Sequence, residues 1–127
     1  MMTTLNKILY AEDEADIREI ATLALETIGE LETVTCDSGV HVIDLAISFQ
    51  PQLILLDVMM PIMDGPSTLE ALKKHAILNT IPVVFLTAKI LPDEIERFKN
   101  LGAVDVISKP FDPMTLAEQI KQIWADL

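Results

Sequence analysis

Residues 53–56, Leu-Ile-Leu-Leu, are apolar at every position and run directly into an aspartate, Asp57. A strand with no polar side has no face to offer water, so other elements must cover it above and below, as they do inside a parallel sheet. Residues 83–86, Val-Val-Phe-Leu, have the same character, and further strand-sized runs stand at 8–11, 33–36 and 104–107.

Between these runs the spacing becomes helical. Ile17, Ile20, Ala21, Ala24, Leu25 and Ile28 follow the i, i+3, i+4, i+7 stripe of an amphipathic helix, and Gly29 stands where a C-terminal cap belongs. Asp112 and Pro113 offer an N-cap and a proline at the first helical position, with Leu116, Ala117, Ile120, Ile123 and Trp124 forming one apolar face behind them. Further helices are expected over 40–48, 67–76 and 93–101, the last opened by Pro92. Five strand–helix alternations predict an α/β fold, a three-layer (βα)5 sandwich around a five-stranded parallel sheet. A chain of 127 residues suits one domain over 1–127, with no linker, repeat or effector domain expected.

Composition narrows the choice of partner. Twenty Asp and Glu against 9 Lys and Arg give a net charge of −11. Duplex nucleic acid is bound through clustered cations that displace counterions, so neither nucleic acid nor an anionic membrane surface is an expected direct ligand. No apolar run approaches the roughly 20 residues needed to cross a bilayer. The single cysteine, Cys36, has no internal disulfide partner, and no leader-like segment precedes the first strand, so a reducing cytoplasm is the expected location.

In an open parallel sheet, ligands bind beyond the carboxyl ends of the strands. Glu12, Asp13 and Glu14 follow the first strand, Asp57 the third, Thr87 the fourth, and Ser108 and Lys109 the fifth. Each alone has an ordinary explanation: a turn-forming acid, a strand-end threonine, a snorkelling lysine. Asp57 is the hardest to explain that way, because an unpaired charge leaving the most buried strand is costly. Two unit charges about 4 Å apart repel by roughly 4 kcal/mol at an effective dielectric near 20, so a carboxylate cluster needs cations. Lys109 supplies one, and Mg²⁺, which takes one or two carboxylates plus phosphoryl oxygens, suits the remainder. Such a cluster is fitted for phosphoryl transfer with a carboxylate as the nucleophile.

Three motifs in order carry a family resemblance. The run from Asp57 through Val58, Met59, Met60, Pro61, Ile62, Met63 and Asp64 to Gly65 resembles the phosphoacceptor loop Asp-x-x-Met-Pro-x-Met-Asp-Gly of response regulator receiver domains in bacterial two-component systems. Lys109-Pro110-Phe111 resembles that family's Lys-Pro-Phe, and Glu12 with Asp13 its acidic pair. The resemblance implies a flavodoxin-like fold, as in chemotaxis receivers, with strand order 2-1-3-4-5. It implies that Asp57 is phosphorylated from a histidine kinase or histidine phosphotransfer protein, with Mg²⁺ as cofactor. Asp13, Asp57 and the backbone carbonyl of Met59 would hold the metal, and Glu12 would act mainly through bound water. Thr87 and Lys109 would each bind a phosphoryl oxygen, and the Lys109–Pro110 bond would be cis. The protein would be a phosphorelay receiver for an unidentified downstream partner, with a homodimer open, and no enzyme beyond its own phosphorylation and dephosphorylation. Contact with that partner is expected on the last helix and around the fourth.

Two departures modify the expectation. Many receivers carry an aromatic ring three residues before the lysine, where this chain has Val106, so switching is expected to rest on Thr87 and the 88–91 loop beginning at Ala88. Met59 and Lys89, two residues after Asp57 and Thr87, flank the expected path of the hydrolytic water, and Met59 is expected to slow its entry.

Other readings fit less well. A haloacid-dehalogenase phosphatase needs a second Asp where this chain has Met59. An FMN-binding flavodoxin needs a phosphate loop, where Ala11-Glu12-Asp13-Glu14 would repel the phosphate. A degenerate receiver that acts only as an interaction module would not need the full set of Glu12, Asp13, Asp57, Thr87 and Lys109. His41 and His75 are expected at the surface.

Overall fold

A computed structural model describes residues 3–88 and 90–127. Lys89, in the middle of the 88–91 loop, lies outside the described residues. Five strands, β1 (Lys7–Ala11), β2 (Glu32–Cys36), β3 (Leu53–Asp57), β4 (Val83–Thr87) and β5 (Asp105–Ser108), alternate with α1 (Ala15–Leu23), α2 (Val42–Phe49), α3 (Gly65–Lys74), α4 (Pro92–Leu101) and α5 (Leu116–Ala125). Every strand pairing is parallel, in the order β2-β1-β3-β4-β5 expected from the resemblance.

Strand alternation builds two cores. Leu9, Ala11, Ile54, Leu56, Val83 and Phe85 turn to one face, where Val42 and Ala46 of α2, Leu69 and Leu72 of α3 and Phe98 of α4 cover them. Ile8, Tyr10, Leu53, Leu55, Val84, Leu86 and Ile107 turn to the other, under Ala21 of α1 and Leu116, Ala117 and Ile120 of α5. Strands β3 and β4 are buried at every residue, which is why their sequences show no polar alternation. Phe85 and Phe98 meet edge to face at 5.0 Å and fix α4 against the sheet.

The helix boundaries depart from periodicity for local reasons. Helix α3 starts at Gly65, ahead of the expected 67, because Asp64 caps it: its Oδ1 accepts from the Ser67 N–H at 2.8 Å, with Pro66 in the first turn. It stops at Lys74, since His75 is already extended. A short 3-10 turn, Gly39–His41, precedes α2 and shifts it to Val42–Phe49. At the end of the chain, Asp112 does not cap α5. Its carboxylate accepts from the Met114 N–H at 2.9 Å within a preceding turn, and the helix begins at Leu116.

Gly29 stands at the expected C-terminal cap, its N–H donating to the Ala24 carbonyl at 3.0 Å, but its conformation is not the left-handed one. The first helix continues beyond α1 as a π-turn over Ala24–Ile28, and Gly29 is right-handed, with φ −83°, while the left-handed residue is Glu30, at φ 56°. A Cβ at Gly29 would lie 2.6 Å from the Cβ of Ala117, so glycine is needed there for the close approach of α5.

Candidate functional site

The sheet register delivers the site. Tyr10 pairs with Leu55 and Ala11 with Leu56, so one further step sets Glu12 beside Asp57 at the carboxyl edge. Tyr10, Glu12, Asp57 and Lys109 stand an even number of residues from Ile8, Tyr10, Leu55 and Ile107 respectively, which all face the α1/α5 side. Their side chains therefore meet there. Lys109 Nζ lies 2.9 Å from Glu12 Oε1 and 3.1 Å from Asp57 Oδ1, and both carboxylates are almost fully buried. One carboxylate oxygen from each of Glu12, Asp13 and Asp57 lies within 4.8 Å of the other two. Asp13 is only partly buried, so the cluster opens to solvent on its side.

The backbone around this edge is held tightly. Arg18 Nη1 donates to the Glu12 carbonyl at 2.7 Å, tying α1 to the turn after β1. The Lys109 N–H donates to the Thr87 carbonyl at 2.9 Å, and the Lys109–Pro110 peptide is cis. Thr87 is buried at the end of β4, opposite Ser108 of β5. Gly65 begins α3 so close to β3 that an added Cβ would lie 2.6 Å from the Asp57 carbonyl oxygen, with Phe85 beneath it at 3.2 Å. In the intervening loop the Met63 N–H donates to the Pro61 carbonyl at 2.7 Å, and Ile62 takes φ 69°, a left-handed conformation unfavourable to a β-branched residue.

These contacts set the electrostatics. Burial, and then the neighbouring Glu12 charge, push the Asp57 carboxyl up from 3.8 to about 7 against the opposing pull of Lys109. Burial alone would lower the Lys109 ammonium, but its hydrogen bonds to Glu12 and Asp57 outweigh that and raise it. Two buried carboxylates thus share one ammonium while Asp13 stands beside them, and the cluster is short of positive charge. A hard divalent cation with oxygen ligands fits that deficit.

Of the residues singled out in the sequence, Glu12, Asp13, Asp57 and Lys109 come together. Glu12 is fully buried, with its side chain directly on Lys109. Met59 is exposed beside the site, Ala88 is exposed at the end of β4, and Val106 is half-buried against the α2–α4 core. Glu14 is exposed at the N-terminus of α1. His41 is exposed, while His75 is half-buried and its Nδ1 accepts from the Ile77 N–H at 3.2 Å. The Cys36 thiol is half-buried, and burial raises it above its ordinary range. Sequence reasoning missed two residues. Arg18 leaves no signal, because its contact depends on how α1 leaves the sheet. Tyr10 does leave one: it stands two residues before Glu12 on the same strand face, and its hydroxyl donates to Glu12 Oε1 at 3.0 Å.

A parallel α/β sheet gathers three carboxylates and a lysine at its carboxyl edge, the arrangement of an acidic, cation-binding pocket. A model of the response regulator receiver domain matches residues 8–121, and the chain belongs to that family. Receiver domains bind Mg²⁺ at an acidic pocket and interact with histidine kinases and downstream effectors. The phosphate regulon transcriptional regulatory protein PhoB of Klebsiella pneumoniae is 40% identical over 119 residues, covering 92% of this chain and 51% of that protein. PhoB of Escherichia coli K12 is 39% identical over 119 residues, with the same coverage of 92% and 51%. The chain therefore spans about half the length of these relatives. Among solved structures, the chemotaxis response regulator CheY4 of Vibrio cholerae matches with a TM-score of 0.86 at 27% identity, covering 94% of this chain and 99% of that one. The signal receiver domain of a signal transduction histidine kinase from Syntrophus aciditrophicus matches at 0.81 and 33% identity, covering 96% and 92%. No helix among the described residues is long and apolar enough to cross a membrane.

Proposed function

We propose that Asp57 accepts a phosphoryl group from the phosphohistidine of a histidine kinase or histidine phosphotransfer protein, and that the phosphorylated chain presents an altered surface to a downstream protein. The observation that carries this reading is the buried Asp57 carboxylate, 3.1 Å from Lys109 Nζ and grouped with Glu12 and Asp13. An Asp57 oxygen attacks phosphorus, the N–P bond breaks with its electron pair going to the imidazole, and the imidazole then takes a proton. Hydrolysis of the acyl phosphate by water resets the site. Asp13, Asp57 and the Met59 carbonyl would hold Mg²⁺, with Glu12 contributing from behind. Bound Mg²⁺ would supply positive charge to the transferring phosphoryl oxygens.

Lys109 then exchanges its contact with the bare Asp57 carboxylate for one with a phosphoryl oxygen, and Thr87 takes another. Output runs through Thr87 and the 88–91 loop, because Val106 is too short to swing as an aromatic ring would. No mechanism here turns over an external substrate, and neither direct nucleic-acid contact nor membrane attachment is part of it. Cytoplasmic operation follows from the kinase partner.

Incubation with a small acyl phosphate and Mg²⁺ is expected to add the mass of one phosphoryl group, mapped to Asp57, and no mass is expected to be gained when the metal is chelated beforehand. No gain with Mg²⁺ present, or a gain on another residue, would overturn the assignment. In this reading the exposed Met59 side chain, two residues after Asp57, obstructs the hydrolytic water. Met59→Asn is expected to shorten the phosphoaspartate lifetime several-fold, followed as loss of the added mass with time. An unchanged lifetime would remove Met59 from the account.

A further inference from the structure

Tyr10 is the chain's only tyrosine, and none of its surface is exposed. It sits in β1 under the α1/α5 layer, where an aliphatic side chain would satisfy packing, since its neighbours there include Ile8, Leu55 and Leu86. Its hydroxyl reaches Glu12 Oε1 at 3.0 Å, and Lys109 Nζ reaches the same oxygen at 2.9 Å. The other Glu12 oxygen accepts from the Glu14 N–H at the longer distance of 3.4 Å. Glu12 is thus oriented by two donors on one oxygen, and they differ in permanence. Lys109 also bonds Asp57 and would be drawn toward a phosphoryl oxygen, whereas the Tyr10 ring is locked in the core.

We propose that Tyr10 is a positioning residue of the acidic pocket: alongside Lys109, its buried hydroxyl holds the Glu12 carboxylate in place for the cation. The proposal rests on the reading of the site given above. Groups that orient the ligands of a metal site govern its affinity, and their removal typically weakens binding by about 10- to 100-fold. Glu12 keeps Lys109 and acts on the cation mainly through bound water, so the lower end of that range is the upper bound here.

The test is direct titration of the unphosphorylated protein with Mg²⁺, by calorimetry or by amide chemical shifts, comparing wild type with Tyr10→Phe. The phenylalanine variant preserves the ring and the packing. It is expected to bind Mg²⁺ up to about tenfold more weakly, to need correspondingly more Mg²⁺ for half-maximal phosphorylation, and to approach the wild-type rate at saturating Mg²⁺. A second comparison separates positioning from general damage. In a Glu12→Gln background, Tyr10→Phe should change Mg²⁺ affinity little, because the effect acts through the Glu12 carboxylate. Unchanged affinity in Tyr10→Phe, or an equal loss in both backgrounds, would overturn the proposal while leaving the phosphoacceptor reading intact. If wild type took up neither Mg²⁺ nor a phosphoryl group, the reading and the proposal would fall together.

Discussion

Asp57→Asn is expected to abolish phosphoryl uptake and, in the same protein, to raise the melting temperature measured without Mg²⁺ at about pH 8. Both effects come from the same carboxylate. The amide cannot form the acyl phosphate, so the first loss is complete. The gain in stability follows from linkage. Burial and the Glu12 charge raise the Asp57 carboxyl from 3.8 to about 7 in the folded protein, so the folded state binds its proton more tightly than the unfolded chain does. The stability this group contributes is fully present below about pH 4 and is lost as the pH rises through about 7. At about pH 8 the folded protein carries the full cost of the ionised group, and asparagine removes it. That value already includes the pull of Lys109, so a gain of about 2–4 kcal/mol is expected, or roughly 10 °C in melting temperature. The remaining carboxylates contribute to the slope of stability with pH in both proteins, so the informative quantity is the difference between them. That difference should nearly vanish at about pH 4. Melts across this range check the sign, and a variant less stable than wild type at about pH 8 would show that Lys109 more than compensates the charge.

Lys109→Met is expected to have the opposite sign. Methionine keeps the length and apolar stem of lysine but removes the ammonium that lies 2.9 Å from Glu12 and 3.1 Å from Asp57. Removing one partner from a buried ion pair costs about 3–5 kcal/mol, because the remaining charge is left uncompensated. Protonation of Asp57 near neutral pH relieves part of this, so about 3 kcal/mol is expected, seen as an earlier urea midpoint at unchanged slope. Added Mg²⁺ should restore more stability to the variant than it gives to wild type. The double variant with Asp57→Asn should lose much less than Lys109→Met alone, since one of the two orphaned charges is gone. A metal-free midpoint equal to that of wild type would mean that the two carboxylates do not depend on this ammonium.

The site was largely legible in the sequence, and the helix ends were not. Asp57 and Lys109 announce themselves because a charge adjoining a wholly apolar strand has few uses, and a parallel sheet brings strand ends together whatever the loops do. Periodicity identified every helix but placed several ends wrongly. Asp64 starts α3 through its side chain, and Asp112 spends its carboxylate on a turn, yet the two look alike as candidate caps. Gly29 does cap the first helix, yet in a right-handed conformation, and the need for glycine comes from the close approach of Ala117, which spacing does not reveal. The contact of Arg18 with the Glu12 carbonyl depends on tertiary geometry and could not be read from spacing.

The register that sets Glu12 beside Asp57 belongs to β1 and β3, and Lys109 follows β5, so the proposed acceptor chemistry rests on the sheet. The outward faces of the five helices carry none of it. If partners are chosen by those faces, as expected of the fourth and fifth helices, substitutions there would change the choice while the acidic edge stays as it is. The same architecture would then keep what the molecule does apart from whom it answers to.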